Sequence, residues 1–117
     1  MAFKRVGAIT LNMGENYIQA AVIDMSSGYA YFGCGTTPGK IVKIDLATFT
    51  RVGVITLPAG EDSSYTAVIN TVAGYAYLGC YTTPGKIVKI DLATFTRVDV
   101  LTVGAGENLF YESVIDN

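Results

Sequence analysis

Apolar and polar side chains alternate along this chain in short runs, separated by breaks rich in Gly, Pro, Ser and Thr. Period-two alternation of β-branched and aromatic residues is the pattern of strands half or fully buried in a sheet. It predicts a strand over Arg5 to Leu11, a loop containing Gly14, and a second strand over Tyr17 to Asp24. Met25-Ser-Ser-Gly28 is turn chemistry and leads into a third strand, Tyr29 to Cys34. Gly35-Thr-Thr-Pro-Gly39 is a further turn, in which Pro38 supplies a fixed and Gly39 a permissive backbone angle. A strand over Lys40 to Leu46 follows. In the next turn, Ala47 to Thr50, Asp45 and Thr48 are placed to bond the local backbone. Arg51 to Leu57 then reads like Arg5 to Leu11, and the cycle restarts. No segment has a helical apolar period.

The restart is almost literal. Gly28 to Val52 returns as Gly74 to Val98, with only Phe32→Leu78 and Gly35→Tyr81 differing over 25 positions. The offset of 46 residues also aligns Arg5, Arg51 and Arg97, and it aligns Gly14-Glu15 with Gly60-Glu61 and Gly106-Glu107. A fixed period of this size with four strands and tight turns per unit is the pattern of a β-propeller blade, a four-stranded antiparallel sheet. The blade Ala30-Tyr-Phe-Gly-Cys34, Pro38-Gly-Lys-Ile-Val-Lys-Ile-Asp45, Thr48-Phe-Thr-Arg-Val52 resembles the YVTN-type (NHL-like) bacterial propeller repeats over nearly the whole chain. That resemblance implies the fold and says little of function, because such repeats serve surface proteins, binding scaffolds and some enzymes.

By the same resemblance, the strand beginning near Tyr17 is innermost and the one beginning at Arg51 is outermost. The chain then divides into an orphan outer strand (1–11), a blade (12–57), a second blade (58–103) and an orphan inner strand (104–117). This is about two and a half repeats, whereas a propeller needs at least four blades to close. An open pair leaves two sheet faces uncovered. At about 25 cal/mol per Å² of apolar surface, a few hundred Å² on each face represents ~10 kcal/mol or more. That is comparable to the whole net stability of a domain, about 5–15 kcal/mol. The unpaired terminal strands add an aggregation hazard. The expectation is a homo-oligomer, a ring of two to four chains closed by copies of itself.

Composition supports this reading and narrows the function. Half of the residues are hydrophobic and 15% charged, too apolar for disorder and suited to strands buried on both faces. A net charge of −2 with scattered Lys and Arg argues against nucleic acid and anionic membranes as partners. The uncharged run from Ser63 to Gly85 holds Ser, Thr, Tyr, Gly and Pro and reads as strands and turns, not as a membrane span. The N-terminus lacks a charged-then-apolar leader pattern. Cys34 and Cys80 stand at one repeat position, too far apart on neighbouring blades for a disulfide, and read as buried free thiols. Free thiols fit a reducing compartment, but the sequence does not specify the localisation.

The chain has no His, which excludes His-based triads and His metal sites, and no enzyme motif is present. Gly33-Cys-Gly35 followed by Pro38-Gly39 lacks the Lys-Ser/Thr and the helix of a phosphate loop. No cofactor is expected. Glu15, Glu61 and Glu107 occupy one repeat position before the inner strands. They either ring one face and bind a cation or a polyhydroxy ligand, or cap backbone N–H groups locally. Asp24, Asn70, Asp116, Asp45 and Asp91 read as turn formers. One Lys of each pair, Lys40 and Lys43 or Lys86 and Lys89, is expected to pack its stem between blades with its charge on a carboxylate. Tyr29, Tyr31, Tyr75 and Tyr77 read as inter-blade packing rather than sugar platforms. The repeats differ chiefly at 16–20, 62–66 and 108–112 and at Gly35 against Tyr81, all in loops of one face. A ligand site is therefore expected among Glu15, Glu61, Tyr65, Tyr81 and Glu107. The leading expectation is a non-catalytic, self-assembling scaffold or binding module; the alternative is a lectin-like carbohydrate- or cation-binding module on the loop face.

Overall fold

The computed structural model describes residues 4–107. It is all-β: β1 (Ile18–Asp24), β2 (Tyr29–Cys34), β3 (Lys40–Asp45) and β4 (Thr50–Thr56) form one antiparallel meander, and β5 (Ser64–Asn70), β6 (Tyr75–Cys80), β7 (Lys86–Asp91) and β8 (Thr96–Thr102) form a second. The two sheets have the same register, with Cys34 opposite Lys40 and Lys40 opposite Thr56 in the first, Cys80 opposite Lys86 and Lys86 opposite Thr102 in the second. They are two blades of an unclosed propeller. The inner strand expected over 109–116, and Asp116 with it, lie outside the described residues.

Turn chemistry fixes the hairpins. Asp24 Oδ1 accepts the backbone N–H groups of Ser26 and Ser27, and both Ser hydroxyls donate to its carboxylate. These hydroxyls hold the Asp24 carboxyl below the usual carboxylate range. Asn70 accepts from Ala73 N–H, and Asp45 and Asp91 each accept from two backbone N–H groups of the next turn. Phe49 and Phe95 sit in those turns with φ of 52° and 50°, a left-handed conformation that non-glycine residues seldom adopt.

Gly39 is needed for a reason other than the expected permissive angle. A Cβ there would stand 2.8 Å from Ser64 Oγ and 3.0 Å from the Glu61 carbonyl, so it is close approach of the two blades that excludes a side chain. Gly33 is equally confined, 2.9 Å from both Ser64 Cβ and the Ser64 carbonyl. Across this inner part of the seam Gly39 N–H donates to Glu61 O and Ser63 N–H to Thr36 O.

The core lies in the seam. Tyr31, Ile41 and Leu57 from the first blade pack on Leu78, Cys80, Val88, Ile90 and Leu92 of the second, with Ile55 and Phe95 at the margin. Tyr31 meets Phe95 with ring centroids 5.7 Å apart, and burial pushes its phenol up to about 12. Cys34 and Cys80 are free and wholly buried, as expected. Each blade thus has a leading face, which receives the blade before it, and a trailing face, which packs on the blade after it. The leading face of blade two is filled by blade one.

Among the described residues, no blade covers the leading face of blade one. Leu46 and Phe49 are 40% and 50% exposed, whereas the equivalent Leu92 is 7% exposed and Phe95 half-buried. Among the described residues, only 4–11 cross this face. Ile9 and Leu11 lie against Cys34, Val42 and Ile44 and leave an apolar groove of about 260 Å³ lined also by Ile18, Phe32, Leu46 and Phe49. Arg5 to Leu11 was expected to be a strand, but residues 4–11 are in no ladder. An outer strand pairs with the third strand of its own blade, and among the described residues both such strands, β3 and β7, already have β4 and β8 beside them.

Candidate functional site

The variable loops gather on one end of the two sheets, at the ends of β1, β3, β5 and β7, and the five expected site residues are in or beside them. Glu15 follows a Gly14 turn in which its own N–H donates to Asn12 O. Its carboxylate accepts Arg51 Nε at 2.8 Å and Nη2 at 2.5 Å, and Oε1 also accepts Asn12 N–H. Glu61 repeats the pair with Arg97, at 2.7 and 2.5 Å. The two carboxylate side chains are only 5% and 8% exposed, their guanidinium partners 22% and 26%. Both acids therefore clamp the loop that enters a blade onto that blade's outer strand. The two-bond Arg fork holds the Glu15 carboxyl below the usual carboxylate range, against the opposing effect of burial.

Glu107 is placed differently. It is exposed, and its Oε1 accepts Gly104 N–H across the Gly106 turn, the local capping arrangement. The three repeat-related acids thus do not converge on one point, and among the described residues no three Asp, Glu or Cys side chains stand close enough to hold a metal ion. Of the lysines, Lys40 does lie near a carboxylate, its charge helping to lower the Glu15 carboxyl, whereas the other member of its pair and Lys89 do not. Lys43 Nζ and Lys89 Nζ sit 4.0 Å above the rings of Tyr29 and Tyr75, so their charges rest on aromatic faces, not on carboxylates. Lys43 Nζ is 5.5 Å from the Phe95 ring as well, which ties this cation to the seam.

Tyr65 and Tyr81 are brought together. Their rings stack with centroids 5.2 Å apart and 30° between planes. The equivalent residues in blade one are Gln19 and Gly35, and there the Gln19 amide fills the space a Cβ on Gly35 would need, 2.2 Å away. The two substitutions between repeats are therefore one exchange, a Gln over a Gly for a Tyr over a Tyr. Beside the pair lies an open recess of about 490 Å³ bounded by Gly60, Asp62, Tyr81, Thr82, Thr83, Pro84 and Lys86. Asp62 Oδ1 is buried there without a hydrogen-bond partner among the described residues. The sequence comparison of repeats found Tyr65 and Tyr81 but missed Asp62 and Lys86. Asp62 stands against Asn16 in the other repeat, which was the available signal; Lys86 is identical to Lys40 and carried none.

No family model matches this chain, and no curated protein matches it. Solved structures do. The chain is similar to the WD40 repeats of RRP9 (TM-score 0.66, 14% identity, covering 82% of this chain and 28% of that one). It is similar to the β-propeller domain of Cps50 (Swd1) from Myceliophteria thermophila (TM-score 0.66, 15% identity, 92% and 31%) and to U3-55K (TM-score 0.65, 14% identity, 82% and 29%). The chain spans less than a third of the length of each. At such identities the likeness shows the fold: β-propeller blades, two of them in sequence.

Proposed function

We propose that the chain is a self-assembling propeller scaffold of the YVTN-like kind, non-catalytic, whose open faces are covered by further copies and whose loop face is left for binding. The observation that carries this reading is the half-exposed apolar groove on blade one, made of the same residue types that are buried where blade one covers blade two. Apolar surface of this kind in a repeat unit is stabilised by a further repeat. Light scattering on a gel-filtration column tests it. A discrete multiple of 12.4 kDa is expected. A clean monomer with intact β structure overturns self-assembly.

A second reading concerns the ligand. The stacked Tyr65 and Tyr81 with the recess at Asp62, Thr82 and Lys86 favour a small polar or carbohydrate ligand on blade two, over the cation expected from the acids. Aromatic faces flanked by hydrogen-bonding groups suit sugar rings. Glu61, between the lining residues Gly60 and Asp62, then serves as the clamp beside the site. A glycan array with the wild type and Tyr81→Gly tests this. Signal lost in the variant supports the lectin-like reading, and no signal for the wild type ends it.

A further inference from the structure

The chain holds three outer-strand sequences, and among the described residues two third strands, β3 and β7, to pair them with. Residues 5–11 read Arg-Val-Gly-Ala-Ile-Thr-Leu, β4 with its next residue reads Arg-Val-Gly-Val-Ile-Thr-Leu over 51–57, and β8 with its next residue reads Arg-Val-Asp-Val-Leu-Thr-Val over 97–103. The free segment is the closer copy of β4. It is also seated like β4: a Cβ on Gly7 would meet Phe49 Cε2 at 3.2 Å, as one on Gly53 would meet Phe95 Cε2 at 3.2 Å. Segment 4–11 therefore already occupies, on the leading face of blade one, the place that the outer strand of a preceding blade would take. Its backbone lacks only a third strand beside it. β7 repeats the sequence of β3, Lys-Ile-Val-Lys-Ile-Asp, without change.

We infer that a second copy supplies that strand: the trailing face of blade two docks on the leading face of blade one of the next copy, and segment 5–11 of that copy pairs with β7 in place of β8. This rests on the self-assembly proposed above and specifies how it is made. The trailing face carries Tyr77, Ile87 and Leu101, the counterparts of Tyr31, Ile41 and Ile55 that fill the internal seam. Tyr77 and Ile87 are only partly buried, and Leu101 is 61% exposed, so the face has no neighbour of its own among the described residues.

β8 is the element that does not fit a docked seam. Asp99 stands where β4 has Gly53, and in a seam built like the internal one a Cβ at that position already comes within 3.2 Å of the Phe ring across it, so the longer Asp side chain has to push that ring aside. Segment 5–11 brings Gly7 to that position, already in contact with its own Phe49. Exchange thus replaces an ill-fitting Asp with a Gly, at the cost of releasing β8. One residue opposes a close replica. Ile18 takes the place of Ser64, which fills the narrow space against Gly33 and Gly39, so the seam between copies is wider at its inner end. The assembly is head-to-tail, and whether it closes depends on that angle.

The test is a disulfide trap in the full chain. In β4, Thr56 lies opposite Lys40; the exchanged pairing puts Thr10 of one copy opposite Lys86 of another. Directly opposed residues on antiparallel strands are close enough for a disulfide. The double variant Thr10→Cys and Lys86→Cys, folded and oxidised, is run on a non-reducing gel beside each single variant, and its solution mass is measured when reduced. A shift of most of the chain from one chain's mass to multiples, absent from the single variants, supports exchange. A multiple in solution without the disulfide overturns exchange and leaves self-assembly standing. A reduced monomer without the disulfide overturns both.

Discussion

Replacing Arg51 by Met removes the guanidinium from Glu15 and keeps most of the aliphatic stem. The carboxylate left behind is 5% exposed and retains one backbone donor, Asn12 N–H, in place of three. Stranding one member of a fully buried pair costs about 3–5 kcal/mol. Arg51 is 22% exposed, and water reaching its end screens part of that, so a loss of about 2–3 kcal/mol at pH 7 is expected. The pH dependence distinguishes a charge effect from lost packing. In the wild type the Glu15 carboxyl is held below its ordinary value of 4.5, so its contribution is present above that pH and is lost as pH falls through the folded value. Without Arg51 the largest downward influence is gone, and burial raises the carboxyl against only the Asn12 N–H and the Lys40 charge, so it protonates earlier than in the wild type and relieves the penalty. The gap between wild type and variant should be widest near neutrality and narrow below about pH 4, the ordinary carboxyl range. Urea unfolding at fixed protein concentration between pH 7 and 3.5 measures it. A loss under about 0.5 kcal/mol, the surface-substitution range, or a gap that does not change with pH, would falsify the clamp.

The other predictions concern the seam and its immediate surroundings. Gly39→Ala places a methyl 3.0 Å from the Glu61 carbonyl, backbone that cannot swing away, and should cost about 1–3 kcal/mol in urea unfolding. Gly35→Ala meets only the end of the Gln19 side chain, which can rotate, so its effect should stay within about 0.5 kcal/mol; equal losses for the two would contradict the seam geometry. Cys80 is wholly buried and its thiol is pushed up to about 12 by desolvation, so a thiol reagent at pH 8 should label it only in urea. Rapid labelling of the native protein would place water at the seam. Lys43→Met removes the ammonium from the faces of Tyr29 and Phe95 and should cost about 0.5–1 kcal/mol, more than Lys40→Met if the aromatic contacts matter.

The strands and their order were readable because each repeat carries its own alternation and its own turn residues. β2 begins and ends at the residues alternation predicts, Tyr29 and Cys34, and β3 begins at Lys40. Asp24, Asn70, Asp45 and Asp91 are the turn formers that their positions suggest. What could not be read is anything decided by a partner 36 residues away. Glu15 and Glu61 look like free loop acids in sequence, since nothing local announces that Arg51 and Arg97 reach them. Gly39 looks like a turn glycine beside a proline, and only the proximity of Ser64 and Glu61 shows that the neighbouring blade requires it. For Arg5 to Leu11 the strand pattern is sound, but alternation says nothing about whether a partner strand exists.

Near-identical repeats turn this last point into a measurement within one molecule. Leu46 and Leu92, or Phe49 and Phe95, have the same local sequence and the same turn, so differences in their burial arise from what lies across the sheet, not from intrinsic preference. The 40% exposure of Leu46 against 7% for Leu92 is therefore the amount of cover that one blade supplies to the next and that segment 4–11 alone does not. Ile18 and Asp99 are informative for the opposite reason. They interrupt the repeat at the two faces that no blade covers among the described residues, a side chain larger than Ser64 on one and a charge in place of Gly53 on the other. Substitutions that obstruct a simple continuation of the stack oppose unlimited growth of a repeat with open ends. In the exchange proposed above, segment 5–11 is the way past these two interruptions, and the same interruptions limit how closely the proposed contact follows the internal seam.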